Sequence, residues 1–279
     1  MKRYIIRELL SELTKTLSPQ IERASREAQL LLMAYLQKDE LWLISNQKTE
    51  IDVTQTLFDW VERRSKNEPL EYILERVSFY SEEFFIKAGA LIPRPETELL
   101  IDEVIDTVAD KESSLRFVEV GVGSGIISIM LALHFKNAHF IAVDISAAAL
   151  EIARVNLERF GLSHRVELRL GSLLDCVDED IDYLVSNPPY IAADAPLESN
   201  LSYEPQNALF GGEVGDEIIK ELLDEVLKRK IRFFSCEMGY DQKDKIQNYL
   251  QDALQRGECE SLIFYKDLSQ FDRGFTLKV

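Results

Sequence analysis

Strands and helices alternate from Arg116 to the end of the chain, and this pattern constrains the fold more than any other feature. Short runs rich in Val, Ile, Phe and Tyr predict strands, and longer periodic stretches between them predict helices. The predicted strands are Phe117–Val120, Phe140–Val143, Val166–Leu170, Tyr183–Ser186, Arg232–Cys236, Ser261–Tyr265 and Phe275–Leu277. The predicted helices are Glu96–Ala109, Gly125–Phe135, Ala147–Arg159, Asp216–Arg229 and Lys243–Leu254. This alternation predicts an α/β fold with a doubly wound, mostly parallel sheet of seven strands. The last strand is expected to run antiparallel, because no helix precedes it.

The part of the chain before residue 94 has a different pattern and predicts two further regions. Residues 1–75 show apolar spacings of three and four without strand alternation, as at Leu9 and Leu13. This spacing predicts a small N-terminal bundle of three helices. Residues 76–93 contain two short aromatic runs on either side of Ser81 and predict a linking β-hairpin. Residues 94–279 then form the sheet domain.

The charge of the chain disfavours one class of partner. The 32 Lys and Arg residues against 49 Asp and Glu residues give a net charge of −17. Residues 1–80 contain 12 Lys and Arg residues and 13 Asp and Glu residues. Residues 81–279 therefore contain 20 basic and 36 acidic residues, a net charge of −16. A surface of this sign repels phosphates, so we expect no sequence-independent binding of nucleic acid.

The cysteines and the apolar runs bear on metal binding and location. Cys176, Cys236 and Cys259 form no CxxC pair and have no histidine at ligand spacing, so no metal site is expected. No apolar run approaches the ~20 residues of a membrane span. Charges interrupt the N-terminal apolar run, which indicates an amphipathic helix and not a signal peptide. The expected location is the cytoplasm, without membrane association.

A glycine-rich turn follows the first strand of the predicted sheet and indicates a nucleotide-like ligand. The turn comprises Gly121, Val122, Gly123, Ser124 and Gly125. Glycines allow a tight turn and a close approach of backbone to ligand. Their spacing differs from the Gly-x-Gly-x-x-Gly of dinucleotide-binding loops, and Glu119 stands two residues before the first glycine. A carboxylate there would repel a pyrophosphate but attract an ammonium or sulfonium group. The turn therefore predicts a positively charged nucleoside, for which S-adenosylmethionine is the obvious candidate.

Asp144 ends the second strand of the predicted sheet, beside the glycine turn. A carboxylate at this position can accept hydrogen bonds from both hydroxyls of a ribose. The alternative is that Asp144 caps the helix that begins near Ala147. The nearby glycine turn favours the ligand role.

The tetrapeptide Asn187-Pro188-Pro189-Tyr190 follows the fourth strand, at the sheet edge where ligands of open α/β sheets bind. Asn187 offers an amide oxygen as acceptor, and the carbonyl of Pro188 is free for a second bond because the next residue has no N–H. Tyr190 offers a flat face. Two acceptors and a flat face would orient a planar NH2 group and shift its lone pair toward a methyl donor. The alternative is an Asn-Pro turn with a surface tyrosine.

These segments resemble one enzyme family over nearly the whole chain. The glycine turn, Asn187–Tyr190 and the segment Ile92-Pro93-Arg94-Pro95-Glu96-Thr97-Glu98 are similar to the peptide chain release factor glutamine methyltransferases, a family of class I S-adenosylmethionine-dependent methyltransferases. Adenine amino-methyltransferases of DNA and RNA share the Asn-Pro-Pro-Tyr motif. The segment at residues 92–98 is more specific to the release factor enzymes.

The resemblance implies a reaction, a cofactor and a partner. The family transfers a methyl group from S-adenosylmethionine to the side-chain amide nitrogen of the glutamine in the Gly-Gly-Gln motif of release factors. This modification modulates translation termination, and S-adenosylhomocysteine is the product. The release factor would be the protein substrate. Residues 1–75, which are nearly neutral and helical, are expected to help dock it.

The resemblance also implies residue roles. The implied cofactor contacts are Glu119, Gly121, Val122, Gly123, Ser124, Gly125, Asp144, Ser172, Leu173 and Asn187, with Arg94 and Thr97 nearby. The implied catalytic residues are Asn187, Pro188 and Tyr190, and Pro189 joins them as a substrate contact. Gly171-Ser172-Leu173 lacks the acidic residue that is usual beside the adenine. Glu237–Gln242 matches a family motif and is interpreted as structural.

Two alternatives compete with this reading of the sequence. An adenine methyltransferase acting on DNA or RNA needs a basic surface to grip phosphates, which the charge of residues 81–279 does not provide. A non-catalytic protein that only binds S-adenosylmethionine would have no use for a loop that holds an amide. The sequence therefore favours the release factor methyltransferase.

Overall fold

The computed structural model describes residues 2–196 and 201–279. These residues form two compact units. Residues 2–76 with 201–203 form the first, called here the helical unit, and residues 77–196 with 204–279 form the second, called the sheet unit. No helix among the described residues combines the length and apolar character that a membrane crossing requires.

The helical unit contains five α-helices and a short antiparallel ribbon, and Leu201–Tyr203 forms a 3-10 turn. In chain order its elements are β1 (Lys2–Ile5), α1 (Ile6–Leu17), α2 (Ala24–Leu36), α3 (Glu40–Ser45), β2 (Glu50–Val53), α4 (Gln55–Ser65) and α5 (Leu70–Leu74). The apolar spacing of α1 buries Ile6, Leu9, Leu13 and Leu17 in the core of this unit, as the sequence predicts. The short helices α3 and α5 were not predicted.

The ribbon corrects the expectation that this region contains no strands. Strand β1 pairs antiparallel with β2, and Lys2 lies opposite Val53. Helix α1 has no side-chain cap, and its first two N–H groups instead donate to Thr49 and Gln47 carbonyls at 3.1 and 3.0 Å. The ribbon therefore continues into the helix start. Four-residue strands offer too few alternating positions to distinguish them from the start of a helix.

The predicted hairpin starts at Arg76, the last residue of the helical unit, and continues into the sheet unit, where the predicted alternation follows. In chain order the elements are β3 (Arg76–Phe79), β4 (Glu82–Phe85), α6 (Thr97–Thr107), β5 (Arg116–Val120), α7 (Ile126–His134), β6 (His139–Asp144), α8 (Ala147–Arg159), β7 (Val166–Leu170), β8 (Tyr183–Ser186), β9 (Ile191–Ala192), β10 (Phe210–Gly212), α9 (Glu217–Arg229), β11 (Phe233–Glu237), α10 (Lys243–Gln255), β12 (Ser261–Lys266) and β13 (Asp272–Lys278). The predicted α/β fold with a seven-stranded sheet is confirmed. The short pair β9 and β10 was not predicted.

The main sheet has the strand order β12-β13-β11-β8-β5-β6-β7. Strand β13 is antiparallel to both of its neighbours, as predicted, and the other neighbouring strands are parallel. The chain runs outward from β5 through β6 to β7 and then resumes on the other side of β5 with β8. Ligands of such sheets bind where the strand order reverses, which here is the carboxyl edge of β5 and β8.

Side-chain alternation along the strands builds a core on each face of the sheet. Phe117 and Tyr183 stack at 5.3 Å in the core shared with α6, α7 and α8. Their neighbours Val118 and Leu184 lie in the opposite core, with α9 and α10. Because β5, β6, β8 and β11 run parallel, the residues at their carboxyl ends lie at the same edge of the sheet.

Candidate active site

A cavity of about 330 Å³ lies at the carboxyl edge of β5, β6 and β8. Its wall includes these predicted site residues: Glu119, Gly121, Val122, Gly123, Ser124, Asp144, Ser172, Leu173, Asn187, Pro188 and Pro189. Arg94 and Thr97 also line it. Two predicted residues, Gly125 and Tyr190, are not part of the lining.

The glycine turn forms the floor of the cavity with a backbone that needs glycine. Gly121, Gly123 and Gly125 have φ values of 78°, 54° and 84°, in the left-handed region. A Cβ on Gly125 would lie 3.3 Å from the Cβ of Ala153, so this glycine faces α8 and not the cavity. The N–H of Gly121 donates to the Val143 carbonyl at 2.9 Å, which fixes the turn to the neighbouring strand.

Asp144 shapes the turn from the end of β6. Its Oδ2 accepts the Gly123 N–H at 2.9 Å, and its Oδ1 accepts the Ser146 N–H at 2.8 Å. The hydroxyl of Ser146 caps α8 by accepting the Ala149 N–H at 3.3 Å, so Asp144 is not the helix cap. Burial raises the pKa of Asp144. Each oxygen of a carboxylate keeps a further acceptor position for a ligand hydroxyl.

Glu119 is a buried acid in the cavity wall. Glu119 is 1% exposed. Its Oε2 accepts hydrogen bonds from the Ser128 N–H, at 2.9 Å, and from the Ser128 hydroxyl. Burial raises the pKa of Glu119 to about 8, and the nearby Asp144 adds to the rise. An adjacent ligand cation would favour the charged carboxylate.

The Asn-Pro-Pro-Tyr loop is connected to two distant elements by a chain of hydrogen bonds. Nδ2 of Asn187 donates to the Thr97 hydroxyl at 3.0 Å, and this hydroxyl donates to Oε2 of Glu237 at 2.8 Å. The Tyr190 hydroxyl donates to Oε1 of Glu237 at 3.2 Å. Thr97 and Glu237 are buried, at 1% and 2% exposure. Burial raises the pKa of Glu237 to about 7 and also raises the pKa of Tyr190.

Two oxygens of this loop are left to accept. Across residues 2–196 and 201–279, no N–H or O–H group donates to Oδ1 of Asn187 or to the carbonyl of Pro188. Both residues line the cavity. A Cβ on Gly121 would lie 3.7 Å from the Asn187 carbonyl, which shows how closely the loop approaches the glycine turn.

A second layer of residues holds the Asn-Pro-Pro-Tyr loop from behind. Nε2 of Gln242 donates to the carbonyls of Tyr190 and Gly215, at 3.1 and 2.9 Å. A Cβ on Gly211 would lie 2.4 Å from the Pro189 carbonyl oxygen, and one on Gly215 would lie 2.6 Å from that of Tyr190. The backbone of the loop therefore packs directly on glycine. These contacts were not predicted from the sequence, although the spacing Gly-Gly-x-x-Gly was a visible signal.

A half-buried ion pair holds the proline-rich segment before α6. The Arg94 guanidinium pairs with Oε1 of Glu204, whose Oε2 accepts the Ile92 N–H at 3.0 Å. Glu204 is 5% exposed. The next residue, Pro205, lines the cavity. Glu204 has no local signal in the sequence, because its partners lie 110 and 112 residues away.

Two family descriptions and several curated relatives match this chain. Residues 8–74 match the PrmC N-terminal domain, and residues 95–202 match the methyltransferase small domain. The release factor glutamine methyltransferase of Dictyoglomus turgidum is 39% identical over 229 residues, covering 80% of both chains. That of Koribacter versatilis is 37% identical over 234 residues, covering 81% of this chain and 82% of the relative. This chain belongs to the release factor glutamine methyltransferase family. It is an S-adenosylmethionine-dependent methyltransferase.

Solved structures with low identity share the fold. The catalytic domain of human Mettl16 in complex with a MAT2A 3′UTR hairpin is 17% identical, with a TM-score of 0.57, over 70% of this chain and 74% of that chain. A second complex of the same domain with another MAT2A hairpin has 15% identity and a TM-score of 0.55, over 80% and 79% of the two chains. This likeness concerns the fold alone.

The cavity of this family member fits S-adenosylmethionine. Its floor is a turn of left-handed glycines without side chains, and its wall contains the carboxylates of Glu119, Asp144 and Glu221. Among the lining residues that the structure describes, Arg94 is the one basic side chain, and its charge is paired with Glu204. An acidic wall suits a cationic nucleoside better than a phosphate. The individual contacts of Ser172, Leu173 and the glycine turn stay predictions.

Proposed function

We propose that this enzyme methylates the side-chain amide nitrogen of the glutamine in the Gly-Gly-Gln motif of peptide chain release factors. The observation that carries the proposal is the pair of free acceptors, Oδ1 of Asn187 and the carbonyl of Pro188, in a member of this family. S-adenosylmethionine supplies the methyl group when bound. The names of the relatives from several bacteria support the same substrate.

The two acceptors match what an amide nitrogen needs. The lone pair of an amide is delocalised into its carbonyl, so the nitrogen is a poor nucleophile. Oδ1 of Asn187 and the carbonyl of Pro188 would each accept a hydrogen bond from one of its two N–H groups. These bonds would orient the nitrogen and increase its electron density. The nitrogen loses one proton as it gains the methyl group. Tyr190 is proposed to pack on the amide plane, although its hydroxyl is directed to Glu237.

The surface charge supports a protein substrate. The net charge of −16 on residues 81–279 disfavours a phosphate-rich partner. No feature of the described residues favours the adenine methyltransferase alternative. We propose that the helical region at residues 1–75 docks the release factor, while the sheet domain binds the methyl donor. We infer a cytoplasmic location, since the proposed substrate acts on ribosomes.

The test is methyl transfer to purified bacterial release factor, located by peptide mass spectrometry. We expect a single methyl group on the glutamine of the Gly-Gly-Gln motif and none on a release factor in which that glutamine is replaced by asparagine. Duplex DNA and RNA hairpins serve as competing acceptors. Methylation of either nucleic acid, with an unmodified release factor, would overturn the proposed function while leaving the cofactor site intact.

A chain that starts at Arg76 tests the docking proposal. It should bind S-adenosylmethionine with unchanged affinity and fail to methylate the intact release factor. Full activity on the intact factor would contradict a docking role for residues 1–75.

A further inference from the structure

Glu237 and Thr97 form a buried connection to the loop that holds the reacting amide, but neither needs to touch the substrate. Glu237 ends β11 and Thr97 begins α6, 140 residues apart in sequence. Their 2.8 Å contact lies in a region where both residues are almost inaccessible to solvent. A buried carboxylate costs free energy, so its retention here calls for a reason.

The reason lies in which of these side chains has a proton to donate. An ionised carboxylate can only accept hydrogen bonds, and a threonine hydroxyl has one proton to donate. Thr97 therefore gives its proton to Glu237 and has only an acceptor left for Asn187. Only the NH2 group of Asn187 can fill that position, so its oxygen must point away from Thr97.

The reverse orientation would defeat the proposed chemistry. If Glu237 could donate to Thr97, the Thr97 hydroxyl would be free to donate to Oδ1 of Asn187. The amide could then turn over and present its NH2 group to the N–H bonds of the substrate. Donor would face donor, and one of the two acceptors would be lost.

We propose that Glu237 is a positioning residue which, through the Thr97 hydroxyl, fixes the Asn187 amide so that its oxygen faces the substrate nitrogen. This inference rests on the proposed function, and it gives Glu237 a role beyond the structural one predicted from the sequence motif. Tyr190 donates to the second oxygen of the same carboxylate, so Glu237 also fixes the far end of the loop.

The surroundings of Glu237 place its titration in a useful range. Burial raises its pKa to about 7, and Glu96 adds to the rise while Arg273 opposes it. Arg273 is itself paired with Asp267 at 2.7 Å. The other titratable neighbours are Cys236 on the same strand, Tyr190, and Tyr265 on β12. Because the ionised form orients the amide, kcat should rise with pH through about 7.

Substitutions that preserve volume test the connection. Thr97→Val removes the hydroxyl, and Glu237→Gln lets the side chain donate as well as accept. Each should lower kcat roughly 10- to 100-fold, the range known for residues that orient a metal ligand, with unchanged S-adenosylmethionine affinity by calorimetry. Thr97→Ser should recover activity relative to Thr97→Val. Thr107→Val, on the same helix and with its hydroxyl donating to the Glu103 carbonyl at 2.8 Å, is the matched control and should retain full activity.

The pH profile separates orientation from a general loss of packing. Wild-type kcat for the release factor should show the acid limb near pH 7, and Glu237→Gln should lack it. A Thr97→Val enzyme with wild-type kcat, or a Glu237→Gln enzyme with the same limb, would overturn the inference while leaving the proposed function standing.

A measurement without substrate keeps the two proposals separate. The side-chain amide signals of Asn187, assigned with Asn187→Ala, can be followed by NMR from about pH 6 to 9. They should move with the titration of Glu237 in the wild type and stay fixed in Glu237→Gln. If they do not move in the wild type, the inference fails whatever the enzyme methylates.

Discussion

The two sides of the cavity are built by different means. On one side, called here the donor side, Glu119, Asp144 and the glycine turn hold their geometry through backbone conformation and hydrogen bonds between residues 2 to 32 positions apart. On the other, the substrate side, residues 187–190 depend on hydrogen bonds from elements 47 to 90 residues away. The donor side is a local shape, whereas the substrate side is an orientation maintained from a distance.

This difference predicts which kinetic quantity each side controls. A change on the donor side should act on cofactor affinity, because the shape is present before any substrate binds. A change on the substrate side should act on kcat, because orientation of the amide matters most as the transition state forms.

The largest effect is expected from Asn187→Ala, on the substrate side. Losing one preorganised contact to the reacting group typically costs roughly 10²–10³-fold in kcat. Single-turnover methylation of the release factor measures the loss, and calorimetry with S-adenosylmethionine should show a much smaller change. Asn137→Ala, at an exposed asparagine bonded to the Glu112 carbonyl at 2.9 Å, is the control. An equal loss in affinity and in kcat would show that the two sides are not separable at this residue.

Asp144→Ala is the corresponding change on the donor side. It removes a charged acceptor of ribose hydroxyls and frees the Gly123 and Ser146 N–H groups. A charge-assisted hydrogen bond contributes roughly 1.5–3 kcal/mol, so the net loss of one such bond should lower cofactor affinity by about 10- to 100-fold. Turnover at saturating S-adenosylmethionine should change less. Unchanged affinity in a folded variant would reduce Asp144 to a residue that shapes the turn only.

A pair of glycine substitutions compares the two sides directly. Gly123→Ala forces a side chain into φ 54° on the donor side, at a cost of about 1–2 kcal/mol, and should weaken cofactor binding about tenfold. Gly211→Ala puts a Cβ 2.4 Å from the Pro189 carbonyl and should lower kcat by displacing the loop. Gly161→Ala, at φ 69° with nothing within 4 Å, controls for strain alone. The same kinetic defect in both variants would contradict the division into two sides.

The same division explains what the sequence could reveal. The glycine turn, Asp144 and the Asn-Pro-Pro-Tyr loop are local patterns, and the strands that carry them were predicted within one or two residues because both sheet faces are buried. Glu204, Gln242 and the partnership of Thr97 with Glu237 depend on which distant elements meet. The spacing of apolar residues along the chain carries no information about such long-range contacts. The ribbon β1–β2 was missed for a related reason, since its stability comes from pairing and not from either four-residue strand.

The smallest effect concerns the protonation of Glu119 on the donor side. Its folded-state pKa, raised by burial to about 8, leaves it largely protonated at pH 7. A cationic ligand group beside it would favour the carboxylate and lower that pKa, so binding should release a proton. Affinity should therefore increase with pH up to about 8 and level off above it, by at most tenfold per pH unit.

Calorimetry in two buffers of different ionisation enthalpy measures this proton directly. At pH 7 the wild type should release a fraction of a proton when S-adenosylhomocysteine binds, and Glu119→Gln should release less. S-adenosylmethionine and S-adenosylhomocysteine both carry an ammonium group, but only S-adenosylmethionine carries a sulfonium. Comparing proton release on binding of the two ligands therefore shows which cation interacts with Glu119. Equal proton release by wild type and variant would mean that the acid only anchors Ser128 at the start of α7. The donor side would then discriminate its ligand by shape alone, without the charge selection that the position of Glu119 suggests.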